Sequence, residues 1–216
     1  MELMSYDLHY LLFERGCEFQ IGHKRNIFMS ICRGLDYLHS NNIVHRDIKL
    51  ENILVNNLDE VKICDFGLAI DKKRNKGPYD RFVGNLTHAA PEVLFGEISY
   101  DTSVDLWALG IILSRMFEVI LYRVYPKTTF DQLYTISTIF GTLPFELYSS
   151  ILQLKPIERI TTAMGPRKLH SYITNADQDA KELIENLLQY DPTKRPTARK
   201  CLDSTFLSGE IRPLLI

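Results

Sequence analysis

Tryptophan occurs once in these 216 residues and cysteine only four times. Cys17, Cys32, Cys64 and Cys201 are scattered, with no CxxC pair and no nearby histidine cluster, so they read as reduced thiols rather than a disulfide framework or a zinc cage. Neither sign of charge prevails: 25 Lys and Arg stand against 27 Asp and Glu, which gives no bulk attraction toward nucleic acid or anionic lipid. The opening MELMSYDLHY has no basic segment leading into an apolar core, so no secretory leader is expected and the location is expected to be intracellular, in cytoplasm, nucleus or both. The most apolar stretch, Leu106 to Leu121, is interrupted by Ser114, Arg115 and Glu118, which are costly at a bilayer centre, so it reads as a core helix and no membrane partner is expected. What remains, 45% hydrophobic and 24% charged without repeats, is enough for one sizeable core.

Apolar Ile27, Ile31, Leu35 and Leu38 recur at three- and four-residue steps, which predicts a helix from Ile21 to Ser40 ending at Asn41-Asn42. Two short apolar runs, Ile53 to Val55 and Val61 to Cys64, flank the turn-prone NNLDE and predict a β-hairpin. Asp71 to Asp80, with the run KKRNK and the pair Gly77-Pro78, reads as a polar loop. Further helices are expected at Asp101 to Ile120, Thr129 to Phe140, Asp177 to Gln189 and Thr197 to Leu202, with irregular chain between Thr142 and Ala176. The fold class is therefore mainly α with short β-hairpins.

Between the long helix and the hairpin lies Ile43-Val44-His45-Arg46-Asp47-Ile48-Lys49-Leu50-Glu51-Asn52, and the hairpin's second strand runs into Asp65-Phe66-Gly67. Either triplet alone is common as a surface charge cluster or a turn. Together, with this helix before them and this hairpin between, they resemble the HRD catalytic loop and DFG turn of protein kinases. Moving a phosphoryl group from ATP to a hydroxyl requires a carboxylate to orient the hydroxyl, a cation on the moving charge and hard oxygen ligands for Mg2+. The resemblance assigns those roles to Asp47, Lys49, and the pair Asn52 and Asp65. Alternation in an extended loop turns Asp47 and Lys49 the same way, while the hairpin folds Asp65 back beside Asn52. Lys49 makes the HRDxKxxN form of serine/threonine kinases, so the partner implied is a protein substrate offering a Ser or Thr hydroxyl.

Further along, Ala90-Pro91-Glu92 is similar to the end of an activation segment, Asp105-Leu106-Trp107-Ala108-Leu109-Gly110 to the central helix, and Asp191 to Pro196 to the closing region. The resemblance implies a kinase domain over residues 1–207 with a tail at 208–216, a catalytic loop at 45–52 and an activation segment at 65–92. It implies that Glu92 pairs with Arg195 in the interior and that Asp105 accepts backbone hydrogen bonds from the catalytic loop. Glu2-Leu3-Met4-Ser5-Tyr6-Asp7-Leu8 resembles the hinge, at 1–7, of mitogen-activated and cyclin-dependent kinases, the CMGC group. Asp131-Gln132-Leu133 and Phe140 to Pro144 resemble that group too, with an insert at about 142–175. On this reading the Glu2 and Met4 backbones meet adenine, Asp7 meets the ribose, and Leu54 forms the adenine floor. Ordinary core packing is the competing account of Met4 and Leu54.

Departures are informative. Asp80 and Phe82 occupy the positions of the activating Thr-x-Tyr pair, so double phosphorylation is impossible there; Asp80 paired with Arg46 would imitate one phosphate, or else be a solvated loop residue. Tyr79 is the adjacent candidate phosphosite. Asn85 replaces the threonine that bridges Asp47 and Lys49, and Ala89 replaces the arginine of proline-directed members, so proline direction is not implied. Cys64 is either a modifiable pocket thiol or a small buried hydrophobe. Lys72, Lys73, Arg74 and Lys76 read as a solvated loop, with an acidic partner, a nuclear signal and nucleic acid as the competing uses. No glycine-rich phosphate loop, VAIK-type lysine or helix-borne glutamate precedes Glu2, so the resemblance implies a large lobe without the small lobe that grips ATP. Two functions follow: an active kinase completed by further chain, a regulatory protein or a separately encoded small lobe, or a kinase-derived scaffold that binds without turnover.

Overall fold

The computed structural model describes residues 3–56, 60–79, 83–117, 126–144, 165 and 169–209. Two helices form its axis. The first, α1 (Ile21–Ser40), buries Ile27, Ile31, Leu35 and Leu38 along one stripe, as its spacing requires. The second, α3 (Ser103–Met116), is buried on nearly every side, which explains its weak amphipathic pattern and its continuous apolar sequence. Trp107 and Leu109 of α3, Phe28 of α1 and Phe206 are among the largest fully buried side chains. Phe206 stands edge-on to both Phe28 and Phe117, joining the chain's late segment to the two axial helices.

Shorter elements close around that axis. Before it come β1 (Tyr6–Asp7) and a π-helical turn over Tyr10–Glu14. Between the axial helices come β2 (Ile43–Val44), β3 (Ile53–Val55), β4 (Val61–Ile63), β5 (Ile70–Asp71) and the short α2 (Pro91–Leu94). After α3 come α4 (Thr129–Phe140), α5 (Leu169–Tyr172), α6 (Gln178–Leu187) and α7 (Ala198–Leu202). Helix α7 packs on α1 and α6 packs on α3. The second contact is close: a Cβ on Gly110 would stand 2.9 Å from side-chain atoms of Leu187 and Leu188, so glycine sets the spacing of α3 and α6.

The expected hairpin forms as β3 and β4, with Ile53 opposite Ile63 and Val55 opposite Val61. β1 adds to its other edge, antiparallel, giving the order β1-β3-β4. The expected polar loop begins later than its composition implied, because Ile70 and Asp71 pair with Val44 and Ile43 in a separate two-stranded sheet. Two-residue strands leave no periodic signal to detect. The helices expected from Asp101, Asp177 and Thr197 begin one or two residues later. Asp177 and Thr197 are N-caps whose side chains accept from Ala180 N and Lys200 N, and Asp101 accepts from Ser103 N. α4 matches its expected span, fixed by a capping box in which Thr128 and Asp131 satisfy each other's backbone amides. Of the expected irregular insert, 145–164 and 166–168 lie outside the described residues, and α5 replaces part of the remainder. Of the tail expected at 208–216, residues 210–216 also lie outside them.

Candidate active site

The catalytic-loop segment is clamped from below by α3. Asp105, 1% exposed in its first turn, accepts from His45 N and Arg46 N at 2.9 Å each, and from His39 Nε2 at 2.9 Å. Two adjacent amides can point at one carboxylate because Arg46 adopts φ 68°, a left-handed conformation rare outside glycine and asparagine. The only comparable residue in the adjoining turn is Asp65, at φ 61°, whose Oδ1 accepts from Gly67 N at 3.3 Å. Both strained positions lie in the two motifs, where surrounding bonds over-determine the backbone.

His45 ties the motifs together. Asp47 N donates to its Nδ1 at 3.3 Å, which leaves Nε2 to donate to Cys64 O at 3.0 Å, and its ring meets Phe66 at 5.0 Å between centroids. Cys64 N in turn donates to Asn52 O at 3.0 Å. His45 carries no role of its own in the motif reading and His39 lies outside the motifs, because only the tertiary arrangement reveals their partners.

Asp47, Lys49 and Asn52 converge. Lys49 Nζ donates to Asp47 Oδ2 at 2.7 Å, and Asn52 Nδ2 donates to the same oxygen at 3.0 Å and to Asp47 O at 2.8 Å. Asp47 Oδ1, by contrast, is buried and has no hydrogen-bond partner among the described residues. Burial disfavours the charge of Lys49, but the hydrogen bond and charge of Asp47, with the fields of Glu51 and Asp65, outweigh it and hold the ammonium above its usual range. Asp65, which follows β4, is exposed, and its field reaches Lys49.

Gly84 crosses directly over this group. At φ 96°, a Cβ there would stand 2.8 Å from Arg46 O and 3.1 Å from Asp47 Oδ1, so the position tolerates glycine alone. Asn85 does not bridge Asp47 and Lys49 through its carbonyl: its Oδ1 accepts from Thr87 N at 2.9 Å and Thr87 Oγ1 at 2.5 Å, capping the turn over Leu86–His88. His88 Nδ1 meets Thr87 Oγ1 at 2.9 Å, while its Nε2 is sealed from solvent with no partner among the described residues.

The expected structural pair is formed. Arg195 Nη1 and Nη2 donate to Glu92 Oε1 and Oε2 at 2.6 and 2.8 Å, and the guanidinium also reaches Ser103 O, Gln189 O and Tyr190 O while lying over Trp107. Where the hinge is expected, Asp7 and Leu54 are cross-strand partners, Met4 is half-buried, and Asp7 Oδ1 accepts from Tyr10 N at 2.8 Å. Glu2 and Asp80 lie outside the described residues. Arg46 donates to Leu68 O at 2.6 Å and Tyr100 Oη at 3.0 Å. Tyr79 corrects an expectation: it is buried, its hydroxyl donating to Asn75 O at 3.1 Å and its ring set against Tyr100, so it is a packing residue rather than a presented phosphosite. Cys64 is half-buried, and burial followed by the fields of Asp65 and Asp7 pushes its thiol up, which disfavours the reactive thiolate.

Hard oxygen donors suit Mg2+: Asn52 turns its nitrogen to Asp47, leaving its carbonyl oxygen as a ligand atom, and the Asp65 carboxylate belongs to an exposed residue. Among the described residues no group of three or more His, Cys, Asp or Glu side chains could hold a metal alone. Among the described residues no helix is long and apolar enough to cross a membrane.

Comparison with known proteins agrees with this geometry. Residues 1–207 match the family model described as protein kinase domain. Cyclin-dependent kinase F-3 of Oryza sativa subsp. japonica is 35% identical over 209 residues, 96% of this chain and 47% of that protein. Mitogen-activated protein kinase HOG1 of Gibberella zeae is 36% identical over 212 residues, 96% of this chain and 57% of that protein. Serine/threonine-protein kinase ICK of Rattus norvegicus is 35% identical over 203 residues, 93% and 32%. This chain thus spans from about a third to somewhat over half of these relatives. Among solved structures, the yeast RNA Pol II CTD kinase CTDK-1 complex includes a chain similar at TM-score 0.89 and 29% identity, over 100% of this chain and 72% of that one. The chain has the protein kinase-like fold, its relatives are cyclin-dependent and mitogen-activated kinases of the CMGC group, and it belongs to the protein kinase domain family.

Proposed function

We propose that this chain forms the large-lobe part, from the hinge onward, of a serine/threonine protein kinase that transfers the γ-phosphoryl group of ATP to a protein hydroxyl. The observation that carries this reading is the unequal treatment of the two Asp47 oxygens: Lys49 and Asn52 hold Oδ2, while buried Oδ1 has no partner among the described residues. A carboxylate held at one oxygen is oriented, and its other oxygen can accept a substrate hydroxyl proton. Because Gly84 covers Oδ1, a substrate hydroxyl reaches it only when the segment around Gly84 draws back. Lys49, kept charged by Asp47, is suited to neutralise charge on the moving phosphoryl group.

Asn52 and Asp65 are the residues that would hold Mg2+, which when bound neutralises the phosphate oxygens and fixes them in line. Asp7, Met4 and Leu54 line the edge on which the nucleotide base and ribose would rest, with the Glu2 backbone as the further hinge contact. Arg46, already engaged by Leu68 and Tyr100, would couple the activation segment and Asp80 to the catalytic loop. The partners are a Ser/Thr protein substrate and a regulatory protein or small-lobe segment that completes the ATP grip.

Calorimetric titration of the full protein with ATP, with and without Mg2+, tests the reading. Magnesium-dependent binding that Asp65→Ala abolishes is the expected result. Absence of any binding heat would favour a kinase-derived scaffold instead.

A further inference from the structure

Arg46 is the chain neighbour of Asp47, and its side chain is held as firmly as its backbone. Nε donates to Leu68 O at 2.6 Å, early in the activation segment, and Nη1 donates to Tyr100 Oη at 3.0 Å, beyond that segment's end. Among the described residues no carboxylate pairs with the guanidinium. The tyrosine that answers it is itself fixed. Tyr100 is 5% exposed, and its ring meets that of Tyr79 at 5.2 Å between centroids. Tyr79 N donates to Ile98 O at 2.8 Å and the Tyr79 hydroxyl to Asn75 O at 3.1 Å, which ties the ring pair to both flanking segments.

Tyr100 also adjoins the reacting group in space. Arg46, Asp47, Tyr100 and Asp105 line one small cavity of about 30 Å3. Just after Tyr100, Asp101 accepts from Ser103 N at 2.8 Å where α3 begins, so the same stretch that starts the helix carries Asp105 on one side and Tyr100 on the other. Arg46 is thus gripped twice, at its amide by Asp105 and at its planar fork by Tyr100. A phenol oxygen accepts such a bond while neutral. The activation segment offers no presented hydroxyl for a phosphate to do this instead: from Asp65 to Glu92 the hydroxyl-bearing residues are Tyr79 and Thr87 alone. Tyr79 is buried, and Thr87 Oγ1 is engaged by Asn85 Oδ1 and His88 Nδ1.

Resting on the kinase reading above, we infer that Tyr100 is a positioning residue for phosphoryl transfer: its hydroxyl holds the Arg46 guanidinium, and through Arg46 it sets Asp47, with no phosphate required on the activation segment. It acts on the reaction through Arg46 alone.

The test measures transfer from Mg·ATP to a serine peptide by the full protein after phosphatase treatment, with residues 65–92 verified as phosphate-free by peptide mass. The expected result is an unchanged rate after treatment. Tyr100→Phe, which keeps the ring and removes the acceptor oxygen, should lower kcat by about tenfold while KM for ATP and for peptide holds. Tyr79→Phe removes the neighbouring hydroxyl without touching Arg46 and is the control: a similar small drop in thermal midpoint with kcat unchanged. In an Arg46→Lys background, where the fork is gone, Tyr100→Phe should add no further loss. A rate that needs phosphate on residues 65–92, a Tyr100→Phe kcat equal to that of Tyr79→Phe, or a full Tyr100→Phe loss on top of Arg46→Lys would overturn the inference while the kinase reading stands. A loss produced by Asp80→Asn and not by Tyr100→Phe would overturn it too, by giving Arg46 a different partner. No transfer by the untreated, unaltered protein would overturn both.

Discussion

At the scale of single residues, the site is made of side chains that each serve two neighbours. Asp105 holds three donors and thereby sets the backbone of Arg46. Converting it to Asn removes the charge and one acceptor; the expected outcome is a loss of about 1.5–3 kcal/mol for each charged hydrogen bond left unmet, read as a lowered denaturant midpoint. His88 gives a pH signature. Burial, followed by the fields of Arg115, Lys49 and His9, lowers its pKa from 6.5 to about 3. The unfolded chain thus takes up a proton near pH 6.5 that the folded chain refuses, so the contribution is complete above 6.5 and is lost as pH falls toward 3. Between pH 7 and pH 5 this removes roughly 1–2 kcal/mol, and His88→Gln should flatten that part of the profile in urea unfolding at each pH. A profile of unchanged slope would show that the ring is not held neutral.

At the scale of elements, the structure separates what local sequence carries from what it cannot. The spans of α1 and α4 follow from apolar spacing and from Thr128 and Asp131, so both were legible; Thr128→Ala should cost about 1 kcal/mol in thermal unfolding through its cap alone. The Asp47, Lys49 and Asn52 grouping was legible because three residues within one short loop meet by local geometry. The pairing of β2 with β5 was not, since two-residue strands leave no pattern and their partner lies far along the chain. Burial of Tyr79 depends on Tyr100 and Ile98, and the committed oxygen of Asn85 depends on Thr87, so both differ from what sequence position alone suggested. The left-handed backbone of Arg46 was equally hidden, because arginine does not announce a positive φ, and that of Asp65 had only the mild preference of aspartate to signal it. The Glu92 and Arg195 pair, foreseen by resemblance, joins α2 to the segment after α6. Glu92→Gln would strand a buried guanidinium, with an expected loss of about 3–5 kcal/mol in denaturant unfolding.

Across the whole molecule, one helix organises both stability and chemistry. The start of α3 holds the His45 and Arg46 backbone through Asp105, its middle packs Trp107 beneath Arg195, and its end sets Arg115 over Phe13. Chemistry sits at an edge of this frame, where strained loop residues are held by a rigid interior. The account's central claim is that Asp47, freed at one oxygen and fixed at the other, orients a substrate hydroxyl for phosphoryl transfer. The most direct measurement is single-turnover transfer of labelled γ-phosphate from Mg·ATP to a serine peptide by the full protein, comparing the native chain with Asp47→Asn. The account predicts transfer that falls by about 10²–10⁴-fold in the variant while ATP binding is retained; equal rates in both would contradict it.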